Sequence, residues 1–128
     1  MATFITTTLA KRSTGNTVFS PSTIEGGVGL LSNNAGTFTA SAEKLTVSSK
    51  RVSGNKRVTR LRITVPQVDD SNPDVPRFVR EAVAELVLTI PDGMLQADVN
   101  DLVGYVEKAC ASTVVNLNAI LVNGEGVY

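Results

Sequence analysis

The sequence contains no histidine and no tryptophan, and its 128 residues include one cysteine, Cys110. Without histidine the chain lacks the usual general base near neutral pH and the commonest metal ligand. One cysteine cannot build a zinc site alone, and no Ser-His-Asp or Cys-His catalytic set is possible. Asp69 and Asp70 are adjacent carboxylates, but DDSNPDVP has the composition of a solvated turn. We therefore expect no enzyme, no metal site and no cofactor.

Long apolar runs and aromatic residues are also scarce. No run of about 18 apolar residues occurs, which predicts no membrane span. The N-terminus MATFITTTLAKRS lacks the basic-then-apolar order of a signal peptide. Aromatic residues make up 5% of the chain, so we expect a core of Val, Leu and Ile. Cys110 cannot form an internal disulfide; we interpret it as a small buried hydrophobic residue, with an intersubunit disulfide as the alternative.

Positive charge is concentrated in one segment. Residues 44–62 hold seven basic residues and no acidic ones, whereas the whole chain has 12 of each, so this segment carries +7 and the remainder −7. Its apolar alternation predicts two β-strands joined at Ser53-Gly54-Asn55. Side chains alternate between the two faces of a strand. One predicted face is apolar and holds Leu45, Val47, Leu61, Ile63 and Val65. The other holds Lys44, Thr46, Ser48, Lys50, Arg60, Arg62 and Thr64.

Turn-forming residues divide the rest of the N-terminal two thirds into strands. We predict a hairpin from residues 4–9 and the TVFSP segment, broken at Pro21 because proline cannot donate to a strand ladder. A weaker strand follows at residues 27–31, then a turn at 32–36, the basic strands at 43–52 and 56–65, and a polar loop at 67–76. Residues 78–90 mix helix and strand signals, and we predict a strand. Its core-facing set is Ala84, Leu86, Leu88 and Ile90, and Val83, Glu85, Val87 and Thr89 share the basic face.

The C-terminal third has a helical period. Its apolar residues recur at i, i+3, i+4, i+7 and i+11. These are Val99, Leu102, Val103, Val106 and Cys110. Ser112 and Thr113 would cap a second helix, VVNLNAILV, which ends at Asn123-Gly124. Strands followed by two helices indicate an α+β fold in a single domain, residues 1–128. The second helix is apolar on all sides, which predicts burial against a dimer partner.

Four segments carry a resemblance that spans nearly the full length. They are FSPSTIEGGV after the N-terminal hairpin, KLTVSSKRVSGNKRVTRLRITVPQV in the central strands, ELVLTIP in the last strand, and NGEGVY. In this order and spacing they resemble the coat proteins of single-stranded RNA bacteriophages, the levivirus group. The resemblance implies an N-terminal β-hairpin, a five-stranded antiparallel sheet, and two helices that interlock with a dimer partner. It further implies an icosahedral shell, commonly of T=3 type, assembled in the bacterial cytoplasm and found in the virion.

The resemblance also implies contacts with genomic RNA on the inner sheet face and, in the better-known members, with an RNA hairpin whose binding represses replicase translation. The corresponding positions are Val28, Lys44, Thr46, Ser48, Lys50, Arg60, Arg62, Thr64, Val83 and Glu85. Val28, Thr46 and Ser48 match the family's adenine pocket. Val83 stands where a tyrosine stacks on a base, and Glu85 where an asparagine is usual, so recognition of the same hairpin does not follow. Lys56 and Arg57 lie near the hairpin tip, where contact with RNA is open.

The resemblance assigns two further sets of residues. Contacts between dimers would come from the loop at 91–97, namely Asp92, Gly93, Met94, Leu95 and Gln96; an ordinary strand-to-helix turn is the alternative. The dimer helices would contribute Val99, Leu102, Val103, Val106, Leu117, Ile120 and Leu121. Two other functions remain open: a soluble, dimeric RNA-binding translational regulator that builds no shell, or basic residues that merely discourage edge-to-edge aggregation.

Overall fold

The computed structural model describes residues 5–12, 15–33, 43–69, 71 and 77–125. In these residues the chain has six strands followed by two helices. They are β1 (Thr7–Ala10), β2 (Asn16–Glu25), β3 (Val28–Ser32), β4 (Lys44–Val52), β5 (Lys56–Asp69), β6 (Arg77–Pro91), α1 (Gln96–Ala109) and α2 (Val115–Asn123). This order confirms the predicted α+β fold. The chain divides into two compact units, Met1–Thr89 and Ile90–Tyr128, and the assignment of a single domain stays a prediction.

All six strands lie in one sheet, in which neighbours in sequence are neighbours in space. The pairs from β1 to β5 are antiparallel. A two-residue turn, Gly26-Gly27, joins β2 to β3, with φ of +58° and +78°. Both angles lie in the left-handed region that a type I′ hairpin turn requires and that glycine adopts without steric cost. The turn therefore fixes Glu25 opposite Val28.

The core of the sheet unit lies on one face of the central strands. Phe19, Leu31 and Leu45 are each only 3% exposed, and Leu61 and Ile63 pack against them. Leu45 pairs with Ile63, and Val47 pairs with Leu61. The predicted alternation of β4 and β5 is confirmed by this pairing, but Val47 and Val65 of the predicted apolar face are exposed rather than part of the core. The core is aliphatic except for Phe19.

Pro21 does not end its strand, contrary to the prediction. β2 continues to Glu25, and its register against β3 shifts between Pro21 and Thr23. Such a shift marks a β-bulge, in which one strand has an extra residue. Proline is tolerated at a bulge because the hydrogen-bond ladder is already interrupted there.

The strands on either side of the predicted loop are longer than expected. β5 continues to Asp69, although the sequence predicts a loop from residue 67. Pro66 lies beyond Thr64, the last residue of β5 paired with β4, so its missing N–H breaks no bond to that strand. β6 confirms the choice of strand over helix. Its predicted core positions differ in burial, since Ile90 is buried but Ala84 is exposed.

Three further expectations fall on residues 4, 34–36 and 72–76, which lie outside the described residues. They are the start of the first strand, the rest of the turn after Ser32, and most of the polar loop. The ends of β3, β4 and β6 agree with the sequence patterns to within one residue, inside the usual uncertainty of such boundaries, whereas β2 and β5 both end about four residues later than predicted.

The helix unit confirms both helices and corrects their details. α1 has Asp98 in its first turn and Lys108 in its last, which complements the helix dipole. The N-cap of α2 is Val114 and makes no side-chain capping bond. The backbone N–H of Val114 instead donates to the carbonyl of Ala111 at 3.2 Å, so a turn occupies the predicted cap at Ser112 and Thr113.

The ends of the two helices give opposite outcomes for the sequence predictions. Gly124 ends α2 with a left-handed φ of +68°, as predicted for a stop at this glycine. Cys110, expected to be buried, is exposed. No helix in the described part of the chain has the length and apolar character of a membrane span.

Candidate nucleic-acid interface

The register of three central strands places the predicted RNA-binding residues on one face of the sheet. Residues directly opposite each other in an antiparallel pair share a face. Three rows cross from β3 through β4 to β5: Val28–Ser48–Arg60, Leu30–Thr46–Arg62 and Ser32–Lys44–Thr64. Strand alternation adds Lys50 and Lys56. We call this surface the basic face and define it by Val28, Lys44, Thr46, Ser48, Lys50, Lys56, Arg60, Arg62 and Thr64.

The cations of the basic face are exposed, and the hydroxyl groups between them are half-buried. Arg60 and Arg62 lie on β5, opposite Ser48 and Thr46. Lys44 and Lys50 flank the same two hydroxyl residues along β4. Arginine presents planar donors that match phosphate oxygens, and a hydroxyl both donates and accepts a hydrogen bond. The surface therefore has the chemistry to hold a phosphate backbone and to contact a base edge.

The structure brings together the three residues that match the family's adenine pocket. Val28 lies directly opposite Ser48, and Thr46 follows two residues away on the same face of β4. All three are half-buried. Arg60 and Arg62 border this group on the β5 side. The three side chains therefore form an apolar and hydroxyl patch beside two guanidinium groups.

An ion pair places β6 beside the basic face. Arg60 Nη1 donates to Glu85 Oε1 at 3.5 Å, and the two side chains are 60% and 45% exposed. This contact puts Glu85 on the basic face, and strand alternation puts Val83 there too. Exposed pairs of this kind contribute about 0–1 kcal/mol to stability. Val83 is itself exposed and offers no ring on which a base could stack.

Two neighbouring cations at the hairpin tip, for which the sequence left contact with RNA open, lie on opposite faces of the sheet. Lys56 pairs with Val52 and lies on the basic face, whereas Arg57 pairs with Arg51 on the opposite face. Five of the seven basic residues of the segment therefore share the basic face. Counting residues along each strand would have given this division, because positions of even and odd number point to opposite sides.

Glu25 is a residue of this surface that the sequence analysis missed. Its pairing with Val28 extends the row that runs through Ser48 and Arg60. That row thus has one carboxylate at its β2 end and another, Glu85, beyond its β5 end. The signal was present in the sequence, since a two-residue turn at Gly26-Gly27 forces residues 25 and 28 to face each other.

The residues predicted to join dimers surround a tight turn. Asp92 and Gly93 form the turn, the N–H of Met94 donates to the carbonyl of Pro91 at 3.4 Å, and Gly93 has a φ of +84°. Met94 and Leu95 are exposed. Gln96 is the first residue of α1 rather than part of the loop.

The residues predicted to form the dimer helices lie on α1 and α2, neither of which has a buried residue within the described part of the chain. Val99, Val106 and Ile120 are half-buried, and Leu102, Val103, Leu117 and Leu121 are exposed. In the same described residues no group of three or more Cys, Asp or Glu side chains is arranged to hold a metal ion.

Solved structures of virus coat proteins share this fold. The capsid protein of bacteriophage GA matches with a TM-score of 0.79 and 24% identity over 99% of both chains. A virus-like particle of bacteriophage NT-214 matches with a TM-score of 0.83 and 17% identity, over 99% of this chain and 100% of the other. An unassembled bacteriophage coat protein, described as an RNA-binding dimer, gives 0.75 and 21% over 99% of both. The fold is therefore that of bacteriophage coat proteins.

The sequence itself identifies the family. The model of the levivirus coat protein family matches residues 2–128. No curated protein sequence matches the chain significantly. The chain belongs to the levivirus coat protein family, whose members are structural proteins of virus capsids, as the resemblance of its four segments predicted.

Proposed function

We propose that this capsid protein assembles as homodimers into a closed icosahedral shell in the virion and that its basic face binds genomic single-stranded RNA inside that shell. The observation that carries the proposal is the division of the sheet. One face of β4 and β5 packs the core through Leu45, Leu61 and Ile63, while the other exposes five cations around a patch of hydroxyl groups.

The dimer is supported by apolar surface that a single chain leaves uncovered. On α2, Val115 is 76% exposed and Leu121 61% exposed. Burying such surface contributes about 25 cal/mol per Å². β6 is 15 residues long and lies at one edge of the described sheet, where unpaired backbone groups can pair with another strand. A second copy is the partner that fits, because a closed shell is built from repeated contacts between identical subunits.

The proposed RNA contacts are mainly sequence-tolerant. Lysine and arginine that neutralise phosphates release counterions, so binding weakens as the salt concentration rises. The patch formed by Val28, Thr46 and Ser48 supports contact with a base as well. Binding of a hairpin at the replicase start would add translational repression. Val83 stands where the better-known members have a tyrosine, and it lacks the ring whose stacking is worth about 1–3 kcal/mol per base. Recognition of those members' hairpin is therefore not part of the proposal.

The proposal is tested by producing the chain alone in bacteria, where assembly in the cytoplasm is expected. Purified material is examined by electron microscopy, and its RNA is challenged with nuclease before and after the particles are dissociated. Closed particles whose RNA becomes sensitive only after dissociation are expected. A small RNA-binding dimer that forms no shell at any salt concentration would favour the soluble translational regulator instead.

A further inference from the structure

One carboxylate of the basic face contacts a cation that would bind RNA. Glu85 Oε1 lies 3.5 Å from Arg60 Nη1, and both side chains are open to solvent. The other arginine that β5 places on the basic face, Arg62, has no such ion pair among the described residues. The two guanidinium groups therefore differ, although they lie two residues apart on the same face of one strand.

We propose that Glu85 competes with RNA phosphate for Arg60, so that the basic face holds RNA more weakly than its cations alone would. The inference rests on the RNA binding proposed above and assigns a specific residue to its regulation. Carboxylate and phosphate are alternative ligands of the same planar donor set. A phosphate that displaces Glu85 has to break the ion pair first. A phosphate that binds the remaining N–H groups lies beside a like charge instead. Both routes lower the affinity.

The position of the pair suggests a use for this competition. Arg60 is opposite Ser48 and borders the patch that contains Val28, so Glu85 weakens a phosphate contact next to the proposed base contact. Differences in affinity at one interface lie mostly in the dissociation rate. A weakened phosphate contact exchanges faster, which allows RNA to rearrange on the subunit while a shell closes.

The test is a double-mutant cycle with Glu85→Gln and Arg60→Gln in the full chain. Particles are first dissociated and freed of their RNA, and binding of a short, fluorescently labelled oligouridine to the released subunits is then measured by anisotropy over a salt series. Glu85→Gln is expected to tighten binding about two- to fivefold at low salt, the range set by a solvent-exposed ion pair, and to have no effect once Arg60 is Gln. Glu81→Gln is the matched control, since it removes the same charge from the same face of β6 four residues away.

Several results would overturn the inference. Equal tightening by Glu85→Gln with and without Arg60, or equal tightening by Glu81→Gln, would show a general charge effect. Weaker binding after Glu85→Gln would show that the carboxylate contacts RNA itself. If the unmodified chain binds no oligouridine, the proposed RNA face is wrong and the inference falls with it. Binding by the unmodified chain without coupling between the two residues rejects the competition alone.

Discussion

Seven basic side chains of one hairpin differ in what they can contact because of strand register. Arg60 and Arg62 point to the face that carries Ser48 and Thr46, whereas Arg51 and Arg57 oppose each other on the face of the core. All of them have the same charge, and all lie within the segment that holds seven of the chain's 12 basic residues. Charge alone therefore does not identify a nucleic-acid contact. Only cations on the same face of the sheet can contact one strand of RNA at the same time.

Replacing Arg60 and Arg62 with Ala is expected to weaken RNA binding and leave the dimer intact, because both side chains are exposed and neither belongs to the core. Each phosphate contact adds about 0.7 to the slope of log K against log salt for a single strand. The double variant should therefore flatten that slope by about 1.4. Binding of labelled RNA over a salt series measures this slope.

The control for that experiment is the pair Arg51→Ala and Arg57→Ala, which removes the same charge from the same β4–β5 hairpin but on the other face. It is expected to change the slope by less than half as much. Particles of the Arg60 and Arg62 variant that retain an unchanged RNA content would contradict the role assigned to the basic face. Equal changes of the slope in the two double variants would show that RNA binding depends on net charge and not on which face of the sheet carries the arginines.

At the scale of single elements, local pattern predicted the strands that alternate regularly and failed where pairing controls the backbone. β4 and β5 follow their apolar period, so their faces could be assigned from sequence. The bulge at Pro21 could not, because it exists only in the register between β2 and β3. Pro66 favours a loop locally but lies past the last pair of β5 with β4. The pair of Arg60 and Glu85 joins residues 25 positions apart and depends on which strands are neighbours.

Helix ends show the same limit on a smaller scale. The stop at Asn123-Gly124 could be predicted because glycine is the residue most often found at a left-handed C-cap. The predicted N-cap of α2 at Ser112 and Thr113 was wrong because a turn between Ala111 and Val114 determines where the helix begins. A helix end that depends on the backbone of one glycine can be predicted from the sequence. A helix start that depends on the preceding turn cannot.

Gly124→Ala is expected to destabilise the chain by about 1 kcal/mol, since a Cβ atom is strained at a φ of +68°. Gly104→Ala makes the same change inside α1, where the backbone is helical and, apart from the adjacent residues and the backbone of the helix itself, nothing lies within 4 Å of the added Cβ. Alanine is the better helix former by about 1 kcal/mol, so this variant should be neutral or stabilising. Denaturant unfolding of both variants measures the difference. Equal loss of stability in the two would contradict the strain argument.

The whole molecule combines two features that a solitary chain leaves unsatisfied. Its net charge is zero, yet residues 44–62 carry +7, which leaves a positive surface for an anionic polymer. Its helices carry apolar residues, on one side of α1 and over most of α2, yet neither helix buries a residue within the described chain. In the proposed RNA-filled shell of dimers, RNA would neutralise the positive surface and a second copy of the protein would cover the apolar helix surface.

Leu117→Asp is the substitution expected to destroy the dimer and with it the shell. Leu117 lies on the apolar helix α2, and its burial against a partner would be worth about 1.5–3 kcal/mol per copy. A twofold contact doubles that loss, and an unpaired buried charge adds to it.

Asn116→Asp, which places the same charge on the neighbouring residue of the same helix, is expected to keep the dimer. Size-exclusion chromatography with light scattering distinguishes monomer, dimer and particle. A Leu117→Asp dimer of normal stability would place the contact elsewhere. A folded Leu117→Asp monomer of normal stability would show that the subunits do not interlock through their helices.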